Sequence, residues 1–194
     1  MNQRAVLTVC LVMSMVVAIP VHAEEIFEPG VVEWSFNLGY GKNFETSFKG
    51  GNVKEDIQFF SFLFSRGKVF THLTEKTTLG YALEGILSYA LQEREDRYIV
   101  GLTPLLNCNF NNDTSFMPYI EVGLGVVLTN LDPFGFGGTF GFTPQLGLGI
   151  RYAISTKSFF KVLYRFHHIS NAGLKEANRS IDSNFLFIGY SFLL

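Results

Sequence analysis

From residue 31 to the C-terminus, apolar and polar positions alternate with a period of two, the repeat of a β-strand whose successive side chains point to opposite faces. The first such segment, 31–40, sets Val32, Trp34, Phe36, Leu38 and Tyr40 against Val31, Glu33, Ser35, Asn37 and Gly39. Further segments are expected at about 55–66, 77–92, 97–109, 116–128, 139–154, 159–170 and 183–193, with Gly, Asn, Asp and Lys-rich turns between them. In 159–170, Phe160, Val162, Tyr164 and Phe166 alternate with Lys161, Leu163, Arg165 and His167. The segment 41–54 reads as a loop, and the stretch Gly67–Glu75 reads as a turn with no clear pattern.

Eight strands, an even number with no linker between them, predict one domain. The oily face is too rich in Phe, Leu and Tyr for the outside of a soluble barrel, and no later stretch offers the roughly 18 consecutive apolar residues of a membrane helix. A closed antiparallel barrel is the other backbone arrangement that satisfies its own hydrogen bonds in lipid. The fold class expected is therefore an all-β, eight-stranded, up-and-down transmembrane β-barrel. Its lumen, just wide enough to be filled by side chains, would take the polar face: Glu33, Gln58, Glu84, Gln92, Arg97, Gln145, Arg151, Lys161 and Arg165. Pro104 and Pro144 each drop a ladder hydrogen bond, and bulges are the expected remedy.

The N-terminus is patterned differently. Arg4, the apolar run Ala5–Ile19 and Val21-His22-Ala23 have the order of a secretory signal, so residues 1–23 are expected to be removed and 24–194 to form the barrel domain. Without Arg4, 14 basic residues face 17 acidic ones, a balance that gives no basic footprint for nucleic acid. Cys108 is then the one cysteine of the exported chain and has no internal disulfide partner. No His, Cys, Asp and Glu spacing suggests a metal, and no motif suggests a cofactor.

One stretch carries candidate chemistry: Arg165-Phe166-His167-His168-Ile169-Ser170-Asn171-Ala172-Gly173-Leu174, followed by Asn178 and Asp182. His168 and Ser170 are two apart, so a strand projects them together. They continue the oily series of Phe160 to Phe166, and Asp182 and Asn184 continue the oily series of the last strand. Polar groups on a lipid-facing wall belong at the membrane rim, where their cost falls to near zero. With both termini periplasmic, that rim is the extracellular one. An imidazole can take the proton of a serine hydroxyl while a carboxylate orients it, and an oxyanion needs donors, for which Asn171, Asn178 and the backbone around Gly173 are at hand. The bland alternative is a set of polar residues anchoring a surface loop. His167 falls on the lumen series and reads as structural, Cys108 as packing, and His72 and Trp34 as interface or loop residues.

At His168-Ile169-Ser170-Asn171-Ala172-Gly173-Leu174-Lys175, with Asn178 and the terminal Gly189-Tyr190 strand, the chain resembles the lipid A 3-O-deacylase (PagL) family. The resemblance implies an outer-membrane serine esterase that removes the ester-linked 3-hydroxyacyl chain at position 3 of lipid A. It implies His168 as base, Ser170 as nucleophile and Asp182 as the acidic member, with Asn178 and the Gly173 amide serving the oxyanion. The family's best-known pattern has glutamate where this chain has Asp182, one methylene shorter. The implied partner is lipopolysaccharide in the outer leaflet, and a second copy of the chain is a candidate partner. Two other readings compete: an acyl hydrolase acting on phospholipid, and a non-catalytic barrel serving adhesion or envelope integrity.

Overall fold

The computed structural model describes residues 26–45, 56–91, 97–111, 114–131, 135–177 and 179–194. The expected signal sequence, Gln92 and Asn178 lie outside the described residues. The described chain forms eight strands: β1 (Val32–Phe44), β2 (Gln58–Thr74), β3 (Thr77–Leu91), β4 (Arg97–Phe110), β5 (Phe116–Thr129), β6 (Phe140–Ser155), β7 (Ser158–Ile169) and β8 (Ile181–Leu193). Each pairs antiparallel with its sequence neighbour, and β8 closes on β1.

Burial follows the predicted parity. Phe159, Lys161, Leu163, Arg165 and His167 of β7 are buried, while Phe160, Val162 and Tyr164 are exposed on the outer wall. Three expectations change. β1 runs on to Phe44 and β2 to Thr74, so most of Gly67–Glu75 is strand; register shifts near Val69 and His72 had blurred its alternation. Gln58 faces outward in line with Phe60 and does not enter the lumen. No bulge forms at Pro104: the β4–β5 ladder skips Thr103 and Pro104 and resumes in the same register. Pro144 behaves alike, for the β6–β7 pairing lapses between Gln145↔His167 and Phe142↔Ser170 without slipping.

The lumen is a packed core in three layers. At its centre the Arg165 guanidinium binds Glu84 and Glu121, with Nη2–Glu84 Oε2 at 3.0 Å and Nε–Glu121 Oε1 at 2.9 Å, and also donates to Gln145 Oε1 at 2.8 Å. Arg151 forks onto Glu33 at 3.0 and 2.9 Å and stacks between the rings of Tyr119 and Phe27. Buried carboxylates are tolerable only when paired and hydrogen-bonded in this way. Towards the β7–β8 turn, Ile57, Phe59, Leu131, Phe136, Ile169, Ile181 and Phe185 form an apolar layer. At the opposite end Ile26 and Phe27 tuck under the barrel against Phe159 and Leu193. Gly39 and Gly41 make room for this filling, since a Cβ on either would strike the Phe187 or Phe185 ring.

Outside, one row of backbone register joins Tyr164, Leu186, Tyr40, Phe60, Tyr89 and Tyr98 around most of the wall. Most of its members are aromatic, the residue type that outer-membrane barrels gather at membrane–water interfaces. Trp34, with Arg66 over its ring, lies nearer the other end of β1. The half-buried Cys108 pairs across to Leu79 and Ile120, which agrees with packing.

Candidate active site

The end of β7 and the start of β8 bring two expected residues into contact. His168 and Asp182 are directly opposed Cα partners, and His168 Nδ1 lies 2.5 Å from Asp182 Oδ1. Because the pair is opposed directly, the short aspartate side chain spans the gap that the family's longer glutamate raised as a question. The carboxylate engages Nδ1, and in a neutral imidazole with its proton on Nδ1 the basic nitrogen is Nε2.

The two side chains sit on the outer wall but differ in exposure: His168 is 22% exposed and Asp182 is 0% exposed. Aromatic residues flank the pair on both sides of β8. Phe44 of β1 is opposed to Asp182 and Phe166 of β7 to Asn184, and the two ring centroids approach to 6.0 Å. Their strands are separated by β8, about 10 Å apart at the usual strand spacing, so the rings must lean over β8 to meet. Sequence parity could place Phe44 only in a loop, and so missed this roof.

Ser170 lies two residues past His168, half-buried. Its backbone is held by a reciprocal pair with Phe142, the two N–H···O=C bonds being 2.8 and 3.1 Å. Among the described residues no hydrogen bond joins the Ser170 hydroxyl to His168. Such bonds are often long until substrate is bound.

The expected oxyanion donors find other work. Asn171 is buried, and its Nδ2 donates to the carbonyls of Phe136 and Ala177, both at 2.7 Å. Its Oδ1 accepts the Gly173 N–H at 2.9 Å. In this structure both amide hydrogens of Asn171 and the amide of Gly173 are engaged within the protein. Asn171 instead ties the turn after Ser170 to the β5–β6 connection. Arg179 N donates to Gly135 O at 2.9 Å in the same clasp, and Gly137 admits the Ala177 carbonyl where a Cβ would collide with it. Within the turn, Ala172 and Gly173 take φ of 53° and 80°, and Leu174 N returns to Asn171 O at 3.1 Å. Two left-handed residues closed in this way make a type I′ turn.

His167 faces the lumen as expected, with Nε2 2.5 Å from Thr143 Oγ1 and its ring edge-on to Phe185. His72 pairs with Glu28 at 3.0 Å near the other end of the barrel.

The sequence profile of the family described as "Lipid A 3-O-deacylase (PagL)" matches residues 59–191. The chain belongs to the PagL family. Among curated PagL proteins, "Lipid A deacylase PagL" of Pseudomonas aeruginosa is 32% identical over 98 residues, 49% of this chain. The chain spans about half, 54%, of the length of that relative. The crystal structure of the outer membrane enzyme PagL superposes with a TM-score of 0.61 at 22% identity, covering 80% of this chain and 98% of that one. Neisserial surface protein A superposes with a TM-score of 0.63 at 16% identity, over 84% of this chain and 98% of its own. At these identities the superpositions carry the fold, an outer-membrane β-barrel. PagL membership rests on the sequence match, which takes in His168, Ser170 and Asp182.

Proposed function

We propose that this chain is an outer-membrane lipid A 3-O-deacylase, exported by removal of residues 1–23, that hydrolyses the ester-linked 3-hydroxyacyl chain by a Ser170–His168–Asp182 mechanism. The observation that carries this reading is the His168–Asp182 pair on the lipid-facing wall, its carboxylate buried and its imidazole partly exposed. A lipid reaches that wall sideways from the outer leaflet without entering the filled lumen.

His168 Nε2 takes the Ser170 proton as Oγ attacks the ester carbonyl carbon, and Asp182 stabilises the imidazolium that forms. Collapse of the tetrahedral intermediate breaks the bond to the sugar oxygen, which receives the proton from His168. Water then attacks the acyl-serine with the same base, and 3-hydroxy fatty acid leaves. The left-handed turn at Ala172 and Gly173 fixes the backbone just beyond the nucleophile.

Ser170→Ala tests the proposal. Mass spectrometry of lipid A from cells producing the wild-type chain should show loss of one 3-hydroxyacyl group. The variant, folded by its heat-modifiable migration, should lose at least about 10³-fold in rate. Deacylation that survives the substitution removes Ser170 from the nucleophile role. Release of fatty acid from phospholipid with lipid A untouched shifts the reading to a phospholipase.

A further inference from the structure

The outer wall beside the catalytic pair is polar on one side only. One pleat below the row His168–Asp182–Phe44, the register joins Phe166, Asn184, Lys42 and Gln58. All four belong to the lipid-facing series, and the next row down is the aromatic one that contains Tyr40 and Phe60. On the far side of the same lip, the outward positions of β5 and β6 are Leu128 and Phe140. Among the described strand residues near this lip, the polar outward positions are gathered in one sector, β8–β1–β2, directly against the site.

We propose that Asn184, Lys42 and Gln58 form a phosphate-recognising strip that binds the phosphorylated sugar headgroup of the lipid whose acyl ester lies over Ser170. The inference rests on the proposed deacylase reading and names the part of the substrate that this sector takes. A lysine on a lipid-facing wall costs several kcal/mol at mid-depth and near nothing at the interface. Its place one pleat above the aromatic row puts the Lys42 ammonium among headgroups, where the anionic group in reach is phosphate. The two flanking carboxamides offer hydrogen bonds to phosphate and sugar oxygens. Two strand spacings sideways and two residues along separate Lys42 from His168, about 12 Å at backbone level. An amino-sugar headgroup with its phosphate spans that reach.

In this structure the Lys42 ammonium binds Asp56 at 2.9 Å, and the two side chains are 50% and 76% exposed. An exposed pair of this kind is weak, so Asp56 acts as a placeholder that a dianionic phosphate displaces. Nothing covalent changes. Lys42 exchanges one anion for another, and the headgroup is held with its ester over the nucleophile.

The experiment uses the full-length barrel in mixed micelles, assayed on bis-phosphorylated lipid A and on the same lipid A stripped of phosphate. Lys42→Met should raise KM for the phosphorylated lipid about tenfold, the worth of one charge-assisted contact, with kcat little changed. It should move KM for the stripped lipid less than about twofold. Lys42→Arg should restore binding, and Asp56→Asn should lower KM for the phosphorylated lipid. Lys68→Met, on the same wall at the other end of β1 and β2, should change neither. Inorganic phosphate added to the stripped lipid should leave its rate unchanged. A rate raised by inorganic phosphate in a Lys42-dependent way would mean the strip takes free phosphate, and would overturn the headgroup assignment. So would an equal loss on both lipids in Lys42→Met. If the wild-type chain deacylates neither lipid, the deacylase reading itself fails; if it deacylates both and Lys42→Met matches it, only the strip fails.

Discussion

Arg165 and His168 stand three residues apart on β7, each bound to a carboxylate, and the odd spacing puts them on opposite sides of the wall. Arg165 is enclosed: two glutamates and Gln145 take up its fork inside the lumen, and its side chain is 2% exposed. His168 is bound to the Asp182 carboxylate, and its side chain is 22% exposed. The first arrangement is saturated and can only hold the barrel together. The second stands on the outer wall, with its imidazole partly exposed. Burial of charge does not distinguish the two arrangements, for Arg165 and Asp182 are both enclosed; what distinguishes them is that the imidazole of the outer pair reaches the surface.

Asp182→Asn should break the outer pair with the largest effect. The amide cannot stabilise the imidazolium and favours the wrong tautomer, and rate losses near 10⁴-fold are typical of that change. Folding should persist, as read by heat-modifiable migration. If turnover stays within about tenfold of wild type, Asp182 is not the orienting carboxylate. Arg165→Met should do the reverse. It strands Glu84 and Glu121 together in the lumen, which should cost about 3–5 kcal/mol in unfolding free energy while activity per folded barrel holds. Replacing both glutamates with apolar residues of similar volume in that background should recover much of the loss, because the unpaired charges go with them. A loss of activity per folded barrel in Arg165→Met would mean that the two sides of β7 are coupled.

The strands, the closure and the inward or outward sense of β7 and β8 were all legible in the sequence, because a period-two pattern is local and a filled barrel enforces it at nearly every position. His168, Ser170 and Asp182 stand out on the same logic, as polar interruptions of an oily series, and the register opposes His168 to Asp182. What was not legible depends on contacts far apart in the chain. Phe44 sits 138 residues before Asp182 yet lies beside it, because β8 closes on β1. Asn171 reads in sequence as a donor for the reaction, and only the approach of the β5–β6 connection shows one of its amide hydrogens bound to the distant Phe136 carbonyl. Gln58 was assigned to the lumen by its polarity against its own parity, and the register sides with the parity.

The finest test concerns the one methylene by which this chain departs from its family pattern. Asp182→Glu would restore the family's usual carboxylate, and on sequence grounds it should be neutral or better. The geometry argues otherwise. His168 and Asp182 are opposed residues already in contact at 2.5 Å, the carboxylate is wholly buried, and the Phe44 and Phe166 rings meet beside it. An added methylene must push the imidazole outward or lift the roof, and overfilling a closed site costs about 1–3 kcal/mol. A displacement of His168 should appear as a kcat lower by about three- to tenfold with KM unchanged, since the base, not the binding wall, has moved. Pairing Asp182→Glu with Phe44→Leu separates the two responses. If the smaller side chain at 44 restores kcat, the roof sets the length of the carboxylate. If Asp182→Glu alone equals or exceeds wild type, the enclosure around Asp182 is looser than its burial implies, and the contrast with the saturated lumen narrows.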